Sequence, residues 1–273
     1  MDLKRSPSPG LPVRDLNELP RIDPEVLLAV ETPPPPPGPM RLSLAAAPER
    51  ARVTMLRECF ARIGFRYEMD RLSDIPFEAD LALNMLPDVL IMTGKLHGSR
   101  NRRTRELVEG DPDDVALLVN LHGAHLIEQD GKEVVLGDGE AVLVSSADPS
   151  SFTHKPPGDI LGLRVPRSRL APLLKNSEAS FMRKIPRETA AIGLLRTYVG
   201  LTWDEGVAKS PELQHVMASH IYDLMAVAIG ATRDAEAVAE VSGLHAARLA
   251  AITALPTTMP YTIASRPHTI TNP

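Results

Sequence analysis

Between residues 78 and 166 the chain carries short apolar runs, each bounded by Gly, Pro, Asp or Ser. "ADLALNM", "DVLIMTGKLH", "DVALLVNLH", "HLIEQ", "KEVVL", "EAVLVSS" and "ILGLRVP" follow one another too closely for helices to intervene. Strands at that spacing predict an antiparallel sandwich or barrel and argue against a βαβ sheet. "EQDGKEVVLGDGEAVLVSS" makes the reading concrete, because Asp130-Gly131 between alternating segments is a strong signal for a two-residue hairpin turn.

Flanking this unit the period lengthens. Val53, Leu56, Phe60 and Ile63 recur at helical spacing, predicting a helix from about Pro48 to Arg66 that Gly64 interrupts. After "SRLAPLL", with room for a helical turn or two, "TAAIGLLRTYVGLTW" places Ile192, Leu195 and Val199 on one face. The next helix is punctuated at both ends. Ser210 is a candidate N-cap, Pro211 fills the first helical position, Glu212 complements the dipole and Gly230 suits the left-handed residue beyond the C-terminus. Its stripe of Leu213, Val216, Met217, Ile221, Leu224 and Val227 is wide enough to face both the β-unit and a second helix. A last alanine-rich helix is expected from Arg233 to Leu255, ended by Pro256.

The termini read differently. Residues 1–49 hold twelve of the 26 prolines, including the run Pro33 to Pro37, and show no apolar period, so a disordered tail is expected. Residues 256–273 read as irregular coil. The organisation expected is therefore a tail over 1–49, a β-unit with its leading helix over 50–175, a helical region over 176–255 and a second tail. The fold class is α+β.

Composition narrows the function classes. The chain is 43% hydrophobic and 24% charged, with a net charge of −5, which offers no general attraction to a phosphate backbone. No apolar run approaches the roughly 18 to 20 residues that span a bilayer, and "MDLKRSPSPG" lacks the apolar core of a signal peptide, so no membrane partner and a cytoplasmic location are expected. The single cysteine, Cys59, excludes an internal disulfide and reads as a small buried hydrophobe.

Candidate chemistry is sparse. His122, His125, Glu128 and a later His154 could suggest a metal-dependent cupin enzyme. Positions i and i+3 of a strand point to opposite faces, however, so His122 and His125 share an ion only if Gly123 forms a bulge. No metal or other cofactor is assigned on that basis. Nucleophile elbows, phosphate loops and H-E-x-x-H pairs are not found in the chain, and "SRNRRTREL" reads as an arginine-rich solvated loop between strands.

Taken in order, "PDVLIMTGKLHGSRNRRTREL", "DPDDVALLVNLHGAHLIEQDGKEVVLGDGEAVLVSS", "LGLRVPRSRLAPLL", "SPELQHVMASHIYDLMAVAIGATRDA" and "GLHAARLAAI" resemble the AraC/XylS family of bacterial transcription regulators over residues 50–253. The resemblance is to members whose N-terminal domain is a cupin-like antiparallel β-barrel followed by dimerising helices. It implies a small-molecule effector in the barrel, a homodimer through helices at about 211–250, and no enzymatic activity. It also implies DNA binding through two helix-turn-helix units, of which "LHAARLAAI" matches only the entry. Roughly 80 to 90 further residues would be needed to supply them. Pro256 and Pro260 forbid continuation, so the expectation is a sensor and dimerisation part unable to bind an operator alone, or one that forms mixed dimers with an intact relative. If Val115, Leu117, Val119 and Leu121 face the helices, then Ala116, Leu118, Asn120 and His122 face the other side. Asn120 and His122 are the candidate ligand-binding residues, as polar groups able to orient a ligand among apolar walls.

Overall fold

The computed structural model describes residues 19–22, 38–174 and 178–230. The expected helix Arg233–Leu255 and the C-terminal tail lie outside the described residues, as does most of the proline-rich N-terminal stretch.

Eleven strands form one sheet: β1 (Arg21–Ile22), β2 (Met40–Ser43), β3 (Glu68–Arg71), β4 (Glu78–Leu86), β5 (Val89–His97), β6 (Ser99–Arg103), β7 (Asp114–Gln129), β8 (Lys132–Leu136), β9 (Ala141–Ser145), β10 (Ser150–Pro166) and β11 (Lys184–Ile185). The main path runs β1-β2-β4-β5-β10-β7-β9-β11. Branches add β6 and then β3 to one end of β10, and β8 to one end of β7. All pairings but β1 with β2 are antiparallel. The expected cupin-like antiparallel architecture is present, in a sheet that does not close. The path ends at β1 and β11, two-residue strands too short to extend pairing around the circle.

Helices α1 (Glu49–Arg62), α2 (Arg105–Val108), α3 (Arg167–Leu170), α4 (Ala190–Leu201), α5 (Glu205–Ala208) and α6 (Pro211–Ile229) complete an α+β fold. The punctuation of α6 is as expected. Ser210 accepts a hydrogen bond from the Leu213 amide, Pro211 opens the helix and Gly230 sits at φ 91°. Asp204 caps α5 in the same way, accepting from the Gly206 amide at 2.7 Å.

The core divides by sheet face. Val115, Leu117, Val119 and Leu121 of β7 pack with Leu161, Leu163 and Val165 of β10 against Ile192, Leu195 and Val199 of α4 and Ile221, Leu224 and Met225 of α6. The opposite face places Ala116, Leu118, Val142, Val144 and Ile160 in a separate cluster. A third cluster joins α1 to the sheet through Leu56, Cys59 and Phe60 against Leu42, Leu44, Phe77 and Leu81. Polar ties seat the helical layer: the Asn84 amide donates to the Thr202 carbonyl at 2.8 Å, Tyr222 to the Asp88 carbonyl at 2.9 Å and Arg183 to the Ile229 carbonyl at 2.7 Å.

Four differences from the sequence reading matter. Residues 40–43, inside the stretch expected to be disordered, form a strand between β1 and β4 that buries Met40 and Leu42. Four residues beside a proline run are too few to display a period. The runs at 114–122 and 125–129 are one strand with an irregularity between them. β10 starts ten residues before "ILGLRVP", because Pro156 and Pro157 bulge out of the pairing instead of ending it. The arginine-rich loop is in part β6, a strand whose inward positions are polar.

Substituting Leu117, which is fully buried between sheet and helices, by Ala should cost about 2–5 kcal/mol in urea denaturation. Val135→Ala, at an exposed position of β8, should stay within about 0.5 kcal/mol. Equal losses would refute this assignment of faces.

Candidate functional site

On the sheet face away from α4 and α6 lies a cavity. Its walls come from β5 (Leu90, Met92, Leu96), β6 (Asn101, Arg103), β7 (Ala116, Leu118), β9 (Val144, Ser145) and β10. Phe60 of α1 and Phe65 and Tyr67 of the segment after it cover one side. These rings form a cluster. Phe65 and Tyr67 stack at 6.1 Å with a 12° interplanar angle, and Tyr67 meets Phe152 of β10 edge-on at 6.1 Å. Burial of this kind is the main driving force for holding an apolar ligand.

The covering segment is fastened by charge. Arg66 donates to Asp111 at 2.6 and 3.1 Å and to the Glu109 carbonyl at 3.0 Å. Arg164 donates to Asp114 at 2.6 Å and to the Gly64 carbonyl at 2.9 Å, with its guanidinium 4.5 Å from the Phe65 centroid. Asp111 also pairs with Arg103, so one carboxylate joins the cover to a lining residue. Charge-assisted bonds of this sort are short and directional.

The polar residues of the wall form a register. β6 and β7 flank the first half of β10, so that Ser99, His154 and His125 lie side by side, then Asn101, Phe152 and Ile127, then Arg103, Ser150 and Gln129. All nine side chains are buried. Asn101 Oδ1, Arg103 Nε and Ser150 Oγ have no hydrogen-bond partner among the described residues, nor do Ser99 Oγ and His125 Nε2. Buried polar atoms are nearly always paired, and an orphan costs about 1–3 kcal/mol, so a row of them on one cavity wall is unusual for a region that serves packing alone.

His125 and His154 approach Nδ1 to Nδ1 at 3.0 Å with their rings edge to face. One nitrogen must donate and the other accept, so the accepting ring is neutral in this contact. Burial pulls the His125 pKa down to about 4, and burial together with the neighbouring His125 holds His154 well below its usual value. Tyr67, enclosed in the aromatic cluster, is pushed above its usual value by loss of solvent.

The residues singled out from sequence separate. Ala116 and Leu118 line the cavity while Val115, Leu117, Val119 and Leu121 face the helices. Asn120 lies opposite Ile160, on the cavity side by register, but its amide donates to the Gly123 and Leu136 carbonyls at 2.7 and 3.1 Å and does not line the cavity. His122 sits at the irregularity, its side chain 37% exposed, 3.2 Å from Asp159. Of the four residues weighed as a metal set, His125 and His154 meet each other, while His122 goes to Asp159 and Glu128 to Arg100 at 2.8 Å. Among the described residues no three His, Cys, Asp or Glu side chains are grouped to hold a metal ion. Sequence reading missed Asn101, Arg103, Ser150 and the aromatic cover. The available signal was the alternation Ser99, Asn101, Arg103 with Arg100 and Arg102 between, a strand period written in polar residues.

Among solved structures, the AraC-like transcriptional activator CuxR is 17% identical, with a TM-score of 0.59 over 71% of this chain and 71% of that one. Shorter matches include a predicted oxalate decarboxylase from Thermotoga maritima, 14% identical with a TM-score of 0.25 over 36% of this chain and 92% of that one. KdgF from Halomonas sp. is 14% identical, TM-score 0.26, over 36% of this chain and 86% of that one. No curated protein sequence matches the chain. The model of the AraC-binding-like domain matches residues 51–229, spanning α1, the whole curled sheet from β3 onward and the helices through α6, and the chain therefore belongs to that family.

Proposed function

We propose that residues 49–230 are the effector-sensing and dimerising part of a transcription regulator, with a small molecule held in the cavity between β5, β6, β7, β10 and the aromatic cover. The observation that carries this reading is the two-faced pair of strands: β7 and β10 line the cavity on one side and seat α4 and α6 on the other. A ligand that favours one spacing of the wall changes the surface on which the helices rest. The shift it produces is bounded by its differential affinity for the two arrangements.

In this reading the protein performs no catalysis and needs no cofactor. A metal-dependent cupin enzyme would need converging ligands, and the dispersal of His122, His125, Glu128 and His154 into separate pairs favours the sensor. Asn120 and His122 serve the ligand from behind the wall, Asn120 by holding Gly123 and Leu136 in place and His122 by closing the irregularity with Asp159. Among the described residues no helix is long and apolar enough to cross a membrane, which accords with a cytoplasmic site of action. Operator contact is not assigned to residues 49–230.

Dimerisation is placed on α6. Leu213 and Val216, one turn apart, are 48% and 49% exposed, while the rest of the helix buries Met217, Ile221, Leu224 and Met225. Apolar side chains left in water at helical spacing suit a two-fold helix pair.

Gly162 gives a direct test of the cavity. It lines the wall at an ordinary φ, and a Cβ there would meet only Leu118 and Met92 at 3.6 Å, so Gly162→Leu should fill the space without disturbing the backbone. Small molecules found to raise the melting temperature of the wild type should have no effect on this variant, whereas a binder at 100 times its Kd contributes about 2.7 kcal/mol to the wild type. Ligands that stabilise both proteins equally would place binding elsewhere.

For the interface, the double substitution Leu213→Lys, Val216→Glu should convert a dimer to a monomer in sedimentation equilibrium at micromolar concentration with little loss of folded stability, since both positions are exposed. A variant as dimeric as the parent removes α6 from the interface.

A further inference from the structure

Three unpartnered atoms on one wall specify more than the presence of a ligand. Asn101 and Arg103 occupy successive inward positions of β6, with Ser150 paired opposite Arg103 and Phe152 opposite Asn101. Each of the three polar side chains is more than nine-tenths buried, and each lines the cavity. Their orphan atoms differ in kind: Arg103 Nε is a donor, Asn101 Oδ1 an acceptor, and Ser150 Oγ can serve as either. Along the strand, the two β6 positions are about 7 Å apart.

The arginines that line the cavity already hold carboxylates, Arg103 that of Asp111, which Arg66 shares, and Arg164 that of Asp114. Hydrogen bonding then decides, because the oxygens of a carboxylate cannot donate to the Asn101 acceptor. A neutral group carrying both a donor and an acceptor satisfies Arg103 and Asn101 together. It does so in either orientation of the Asn101 amide, which a carboxylate cannot. The remaining walls, Phe60, Phe65, Tyr67, Phe152, Met92 and Leu118, require an apolar body.

We infer that the cavity takes a neutral amphiphile, an apolar and preferably planar body seated in the aromatic cluster with a carboxamide-like head directed at Asn101, Arg103 and Ser150. The inference rests on the reading of this cavity as the effector site and adds the chemical class. It also assigns the orphan atoms a purpose: they have no partner within the described fold because their partner is the ligand.

The test uses the full chain with three probes that share a phenylethyl body: 3-phenylpropanamide, 3-phenylpropanoate and isopentylbenzene. At neutral pH the amide should bind the wild type about tenfold more tightly than either of the others, the loss expected when buried donors and acceptors stay unpaired. In Asn101→Leu the advantage over the hydrocarbon should disappear while the hydrocarbon still binds. Without any probe, the same variant should melt about 2–4 °C higher than the wild type, because an orphan acceptor has been replaced by an apolar side chain of similar size. Equal binding of all three probes, or tightest binding of the carboxylate, overturns the inference and leaves the cavity as the effector site. A lower melting temperature for Asn101→Leu also overturns it, since the amide would then serve the fold. Failure of every probe to bind counts against the cavity as a ligand site and removes both readings.

Discussion

The pairing of β7 with β10 is the constraint on which the rest of the molecule depends. These strands, of 16 and 17 residues, are several times longer than β1, β2 or β11; β5 and β6 pair with β10, β8 and β9 pair with β7, and the remaining strands attach through these. A strand has two faces, and here both are used. One carries the continuous apolar row that receives α4 and α6, and the other forms the cavity wall. A one-residue slip would exchange the two sets of side chains, so the register must be strongly specified. Arg164 bound to Asp114 pins one end of the pair and His154 against His125 pins it beyond the irregularity, while Gln129, donating to and accepting from the Ser145 backbone at 2.9 Å, ties the end of β7 to β9.

Between these anchors the pairing is irregular, and that irregularity decides what could be read from sequence. Up to Leu121 the alternation on β7 is clean, which is why the apolar row facing the helices was legible. The register then jumps from Asn120 opposite Ile160 to His122 opposite Asp159 and to Ala124 opposite Lys155. β7 has one residue extra at the first step and β10 two at the second, and across the break the inward positions of β7 change from Ala116 and Leu118 to His125 and Ile127. A pattern extrapolated through the break reaches Asn120 and His122. The structure engages the first with the backbone of Gly123 and Leu136 and the second with Asp159. Gly123, at φ 93°, marks the break, and an added Cβ would meet Pro157 and Gly158 at 2.9–3.1 Å. A glycine in a strand flanked by two histidines was the available clue.

The other gaps have a common origin. Helix α6 was legible to the residue because capping is a local matter of Ser210, Pro211 and Gly230. β6 was not, because strand recognition relies on apolar alternation and its inward residues are Ser99, Asn101 and Arg103. Polar inward positions appear in a sequence as a solvated loop unless something outside the chain accounts for them. The strand Met40–Ser43 was lost for a different reason, since its order comes from β4 and not from its own four residues. In both cases the missing information is tertiary.

The division of labour between the two faces explains how the fold tolerates its own site. Unpaired polar atoms beside the cavity each cost about 1–3 kcal/mol. The helix-facing row, where Leu117, Val119, Leu161 and Leu163 are fully buried, supplies apolar burial that offsets this without crossing to the other side. The same arrangement ties sensing to the helices. Asp111 holds both Arg103 of the wall and Arg66 of the cover, so a group that engages Arg103 alters the restraint on the aromatic cover as well. Ala116 and Leu118, which line the cavity, alternate along one strand with Val115, Leu117 and Val119, which the helices touch. Interiors at protein packing density do not absorb a displaced strand by compressing, so movement of the wall must be passed to the layer behind it or resisted by that layer. How far it is passed depends on the ligand's preference between the two packings, and a chemically selective wall makes that preference specific to one class of molecule.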